Sequence, residues 1–158
     1  MNRCIVIAFT TLIIAFGFWL GEGGEPPWAF THIASAIVST VVVGVMIPGR
    51  LWFKTVSGVA FLMIYVGVLY SGWYSFNLAF KECVEKGEEV RVQLNQFYTQ
   101  HNQYPERLNQ LPGFALCVRT VRPTILEYKK TANGYLLSFK DQFIEHTATE
   151  SDSFMAHK

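Results

Sequence analysis

The sequence predicts a membrane α-helical protein of three transmembrane helices plus a small α+β external domain. The third span continues into a long helix packed on an antiparallel hairpin or sheet. Three observations predict this. Only 16% of the 158 residues are charged, and residues 1–80 carry just Arg3, Glu22, Glu25, Arg50 and Lys54. Stretches 4–20, 29–47 and 55–76 contain no Asp, Glu, Lys or Arg, and about 20 apolar residues suffice to cross the hydrocarbon core. The third observation is a helical stripe after residue 76, followed by strand-like segments around an Asn-Gly pair.

The tryptophans mark the ends of the three stretches. Trp19, Trp28, Trp52 and Trp73 each fall at a predicted membrane boundary, where an indole keeps its ring buried and its N–H wet. Arg3 at the start and Arg50 with Lys54 in the second linker are basic, whereas the first linker carries only Glu22 and Glu25. The positive-inside bias then predicts a cytoplasmic N-terminus and an external C-terminal half. The first stretch can alternatively be read as a signal peptide, although no small-residue cleavage site precedes Gly21.

The spans hold no ionisable residue of the kind that marks ion or proton pathways. His32, near the outer end of the second span, reads as a polar interfacial residue or as a ligand. Small residues recur every four positions at Ala36, Thr40 and Gly44, and at Gly17 and Gly21. Such spacing lets helix backbones approach closely. It predicts docking on a partner helix or packing among the three helices themselves.

After residue 76, Phe80, Cys83, Val84, Val90, Leu94 and Phe97 form one helical stripe, with Gly87 as a point where the helix bends or loosens. Pro105 ends the helix, and residues 106–111 fit a short turn with Leu108 and Leu111 inward. Residues 124–130 and 135–140 read as strands joined by Thr131-Ala132-Asn133-Gly134, whose Asn-Gly pair is a hairpin signal. Phe143 and Ile144 extend the second strand or begin a third. From His146 the chain turns polar. The resulting organisation is a three-helix anchor over 1–76, an external domain over 77–146 and a flexible polar tail over 147–158.

A domain of about 60 ordered residues is marginal without a staple. Cys83 on the stripe and Cys117 before the hairpin supply one if that side of the membrane is oxidising. Such a bridge adds about 3–4 kcal/mol. In a reducing space the two remain buried thiols.

The net charge of +1 offers no basic face for nucleic acid. Half a chain cannot build a large soluble catalytic core. No nucleophile elbow, phosphate-binding glycine loop or zinc spacing occurs, and His32, His101, His146 and His157 are scattered. The sequence therefore predicts no catalytic residue, no cofactor and no metal. Glu85, Glu88 and Glu89 beside Lys86 and Arg91 read as a solvated, ion-paired helix face. Arg119, Arg122, Lys129 and Lys130 read as strand-edge protection or as a surface for an acidic partner.

Residues Gln93 to Leu111 include Asn102-Gln103-Tyr104-Pro105 followed by Leu108 and Leu111, and the Asn133-Gly134-Tyr135 hairpin comes later. This pattern resembles type IV pilins and the pseudopilins of type II secretion, over roughly residues 75–144. The resemblance implies a long helix, half embedded and half outside, packed on a small antiparallel sheet. It also implies a bacterial inner-membrane location with a periplasmic domain. Residues 9–13 echo the segment after a pilin leader site without its preceding Gly or following Glu, and the helix matching a pilin stem is the third. The expectation is a pilin-like domain on a fixed multi-span anchor.

The function expected is that of a non-catalytic accessory or structural subunit of an envelope membrane complex. Its partners are the lipid bilayer and other membrane or envelope proteins, with no nucleic acid. The alternatives are a membrane-anchored sensor or ligand-binding module, and a small helical subunit of a membrane enzyme complex.

Overall fold

The computed structural model describes residues 3–140 and 143–157. It contains three α-helices, α1 (Arg3–Gly21), α2 (Phe30–Met46) and α3 (Leu51–His101), then a short 3-10 turn (Leu108–Gln110). Four strands follow: β1 (Glu127–Lys130), β2 (Tyr135–Lys140), β3 (Glu145–Thr149) and β4 (Met155–His157). The chain divides into two compact units, Met1–Phe76 and Asn77–Lys158.

In the first unit, α1 and α3 are long and apolar enough to cross a membrane. The apolar α2 is shorter, with 17 residues. At 1.5 Å per residue it rises about 26 Å, just under a hydrocarbon core of about 30 Å. The sequence-predicted second span is therefore trimmed at both ends. Pro26 and Pro27 precede it, and Ile47 is held extended by the Pro48 that follows (φ −75°, ψ 121°). The core of this unit joins Ala36 and Val43 of α2 to Phe61, Tyr65 and Leu69 of α3, with Ile13, Ile14 and Leu20 of α1 packed against them. Hydroxyls on the helices bond to their own backbones: Thr11 to Ile7, Thr40 to Ala36, Thr55 to Leu51 and Ser71 to Gly67. Polar groups satisfied within one helix are tolerated in lipid.

In the second unit, α3 packs on a four-stranded antiparallel meander of order β1-β2-β3-β4. Tyr135, Leu137 and Phe139 alternate inward along β2, as a strand with one buried face requires. The helix presents Ala79, Cys83, Val90 and Leu94 to this core. Val84 belongs to the predicted stripe but lies outside it, 55% exposed. The helix runs without a break through Gly87. A Cβ there would sit 2.8 Å from the Phe154 ring, so the glycine makes room for that side chain. Leu108 and Leu111 are buried as their spacing predicts.

One strand prediction is corrected. Residues 124–126 are not part of β1. Ile125 donates its N–H to the Cys117 carbonyl at 3.1 Å, and Ile125 and Leu126 are buried in succession, which breaks the alternation. The four-residue connection through Asn133-Gly134 forms as the sequence predicts. Residues 131–134 form the whole connection between Lys130 and Tyr135, closed by Thr131 N–H donating to the Gly134 carbonyl at 2.9 Å. The flexible polar tail predicted over 147–158 is also corrected through residue 157. Residues 145–149 pair with β2, Thr147 pairs with Met155, and His146 pairs with Ala156. Lys158 lies outside the described residues. Polar composition hid these strands because β3 pairs on both of its edges while its side chains remain largely polar. Only Ala148, opposite Leu137, is fully buried.

Cys83 and Cys117 form a disulfide across 34 positions, with Cα atoms 5.3 Å apart. Cys117 adopts a left-handed backbone (φ 59°), costly for a non-glycine residue. Three ties hold it there: the disulfide, its N–H donating to Glu82 Oε2 at 2.8 Å, and its carbonyl accepting from Ile125.

Candidate functional site

The residues singled out by sequence separate into three environments. Trp19, Trp28 and Trp52 are exposed. Trp28 lies 6.2 Å from Trp73 between ring centroids, and Tyr70 lies 5.5 Å from Trp73, so α3 and the α1–α2 connection share one aromatic belt. Ala36 is buried inside the helical unit, and the Thr40 methyl faces Gly58 of α3. A Cβ on Gly44 would meet nothing within 4 Å. Of the proposed docking set, two residues thus pack internally and Gly44 remains open. It borders an apolar groove of about 540 Å³ between α2 and α3, lined also by Val41, Leu51, Gly58 and Val59, with Lys54 at its edge.

The close approach of helices happens instead at the other glycine pair. A Cβ on Gly21 would fall on the Leu69 carbonyl, and one on Gly72 would fall on the Phe18 carbonyl and 3.0 Å from the Glu22 nitrogen. A Cβ on Gly17 would press on the Tyr65 ring at 2.7 Å. Backbone lies on backbone here, which only glycine permits.

The burial of two polar side chains was not revealed by the sequence. Among the described residues, Glu22 and His32 are the buried polar or charged ones. Glu22 sits directly after Gly21 and accepts the Ser75 hydroxyl at 2.7 Å. Nearby in the chain, the Thr31 hydroxyl donates to Glu25. His32, 1% exposed, lies in the first turn of α2 with Nδ1 2.8 Å from the Pro26 carbonyl. A carbonyl only accepts, so Nδ1 carries a proton. Nε2 is buried without a hydrogen-bond partner. The His32 ring lines a cavity of about 250 Å³ whose other walls are Pro27, Ile33, Ala36, Ile37, Leu62, Val66 and Leu69. Glu22 and Glu25 entered the sequence argument only as a charge count, and burial over a glycine crossing leaves no local signature.

In the second unit the Asn-x-Tyr-Pro region gathers tyrosines. Tyr98 stacks on Tyr104 at 4.7 Å, and Tyr104 meets Tyr135 edge-on at 5.0 Å. Tyr128 donates its hydroxyl to the Pro105 carbonyl at 2.6 Å. Burial, with Glu106 adding to it, pushes the Tyr128 phenol up to about 12. Burial also raises Tyr104 and Tyr135, the Arg91 charge opposing it at Tyr135. At the helix–sheet junction, burial raises the Glu88 carboxyl. The Phe154 N–H (2.9 Å) and Arg91 (2.6 Å) outweigh burial and hold Glu88 below its ordinary value. Arg91 also donates to the Thr149 carbonyl. These contacts tie the helix to the last two strands and expose no reactive group. Among the described residues, no cluster of three His, Cys, Asp or Glu is placed to hold a metal ion.

Comparison with protein-family models, with curated proteins and with solved structures gives no match.

Proposed function

We propose that the chain is a non-catalytic, membrane-anchored accessory or structural subunit of an envelope complex. In this reading the three helices of the first unit lie in the bilayer with the N-terminus cytoplasmic, and the second unit meets protein partners outside. One observation carries it. The helical unit buries Glu22 and His32 and leaves large apolar side chains facing outward, with Ile7, Leu12, Phe30, Val45, Leu51 and Met63 all well exposed. Exposed apolar area on this scale is costly in water and needs lipid or protein cover. The short α2 fits a bilayer that thins locally or a helix end anchored by Trp28. The Cys83–Cys117 disulfide supports an oxidising outer compartment. A helix packed on an antiparallel sheet is compatible with a pilin-like domain, as a statement of fold rather than of activity.

The test is gentle extraction from native membranes, followed by sizing and mass spectrometry of what travels with the chain. The expected result is a complex with stoichiometric partners that survives extraction. Recovery in the soluble fraction would overturn the membrane reading, and recovery as a lone monomer would overturn the subunit reading.

A further inference from the structure

We infer that the groove between α2 and α3 binds one anionic phospholipid, with an acyl chain in the groove and the phosphate at its basic end near Lys54 and Arg50. The inference rests on the proposed bilayer location of the first unit and names a lipid, not a protein, for this face. The groove offers hydrocarbon along its length. Val41 and Val45 of α2 and Leu51 and Val59 of α3 line it and are well exposed. Its two threonines, Thr40 and Thr55, donate their hydroxyls to the Ala36 and Leu51 carbonyls of their own helices. They therefore require no polar partner from an occupant. Two glycines keep the space open. A Cβ on Gly44 would meet nothing within 4 Å, and one on Gly58 would meet only the Thr40 methyl at 3.7 Å.

Length and charge select the occupant. From Leu51 to Leu62, both in the lining, α3 rises about 16 Å, roughly half of a hydrocarbon core of about 30 Å. The groove thus runs the depth of one leaflet. Its volume of about 540 Å³ falls within the roughly 300–1,000 Å³ of ligand sites. Lys54 lines the groove at the start of α3, and the exposed Arg50 directly precedes that helix. Residues 26–81 contain no Asp or Glu. Among the described residues, neither cation forms a salt bridge. Long basic side chains lay their stems on apolar surface and extend their charges to headgroup level. Two cations without a counter-ion at the end of an apolar groove fit an anion that carries hydrocarbon. In the proposed orientation this end lies at the cytoplasmic leaflet. Anionic lipids concentrate there, and each nearby basic residue strengthens binding about fivefold, equivalent to about 1 kcal/mol.

The test places the full chain in phosphatidylcholine nanodiscs. A trace of phosphatidylglycerol or of phosphatidylcholine, spin-labelled on the acyl chain, is added to each. The motionally restricted fraction of the label gives the relative affinity of the two lipids. Phosphatidylglycerol is expected to bind about tenfold tighter or better. Lys54→Gln should cut that preference about fivefold. Gly44→Leu, which fills the groove and retains both cations, should remove the component specific to phosphatidylglycerol. Its melting in pure phosphatidylcholine checks that it is folded, and the Lys54 variant decides the matter if it is not. Equal binding of the two lipids by a chain that enters nanodiscs overturns the inference and leaves the membrane reading standing. A preference that survives both substitutions also overturns it. So does a dimer that Gly44→Leu dissociates, which would seat a second copy of the chain in the groove. A chain that does not enter nanodiscs overturns the membrane reading and the inference together.

Discussion

In the first unit Phe30 is 84% and Leu51 81% exposed while Glu22 is fully buried; in the second, Val90, Leu94 and Leu137 are fully buried while Glu85, Glu89 and Lys129 lie outside. The helix α3 contributes residues to both. Up to Phe76 it is sealed against α1 by glycine, with backbone on backbone at Gly21 and Gly72. Beyond Asn77 it is held to the sheet by large side chains and by Arg91 donating to the Thr149 carbonyl, and to the segment before β1 by the disulfide to Cys117. The contrast teaches what each solvent permits. In water, burial of apolar area is the driving term, so large side chains go inside. In the bilayer proposed for the first unit that term vanishes between helices, and close packing takes its place.

The largest expected effect comes from the disulfide. Replacing Cys83 and Cys117 together by serine should cost the second unit about 4 kcal/mol, from the loop-closure entropy of a 34-residue separation. Differential protease resistance of the two units reads it out. An unchanged second unit would remove the staple from the comparison.

Next in size is the glycine crossing. Gly72→Val should destabilise the helical unit by about 3 kcal/mol through overpacking that no rotamer relieves. Gly44→Val, which meets nothing nearby, should leave its melting unchanged. If Gly44→Val instead releases a co-purifying partner without altering melting, the open groove on α2 is a docking face. Equal melting effects from the two substitutions would break the contrast.

A smaller effect separates the units by pH. Tyr128 is neutral in the fold and its value is raised to about 12, so its contribution is intact below pH 10 and lost as pH rises from 10 towards 12. Circular dichroism across that range should show alkaline loosening of the second unit, reduced in Tyr128→Phe. Persistence of the full transition in that variant would assign it to Tyr104 and Tyr135.

The smallest effect is at Glu88, a half-exposed carboxylate worth at most about 1 kcal/mol. Its value is lowered, so its contribution is complete above 4.5 and fades as pH falls below it. Glu88→Gln should speed hydrogen exchange at the Phe154 amide and abolish that acid dependence, leaving the helical unit unaffected.

The sequence by itself determined what depends on chain-local patterns. Charge-free runs located the apolar helices, Trp19, Trp28 and Trp52 fell near their ends, and the stripe through Cys83, Val90 and Leu94 found the buried face of α3. The Cys83–Cys117 pairing was also legible, because the two cysteines fell in one predicted domain and Cys4 was left elsewhere. The tertiary structure alone decided which small-residue stripe makes the tight crossing, since Gly17-Gly21 and Ala36-Thr40-Gly44 share the same spacing rule and differ only in what faces them, Gly72 in the case of Gly21. It also decided that Glu22 and His32 are buried. A side chain's solvent is set by neighbours such as Ser75, more than 50 positions away, and no local periodicity encodes that. The polar stretch through 147–157 joined the sheet for the same reason. Strand pairing satisfies backbone groups whatever side chains the strand carries, so composition could not announce β3 and β4.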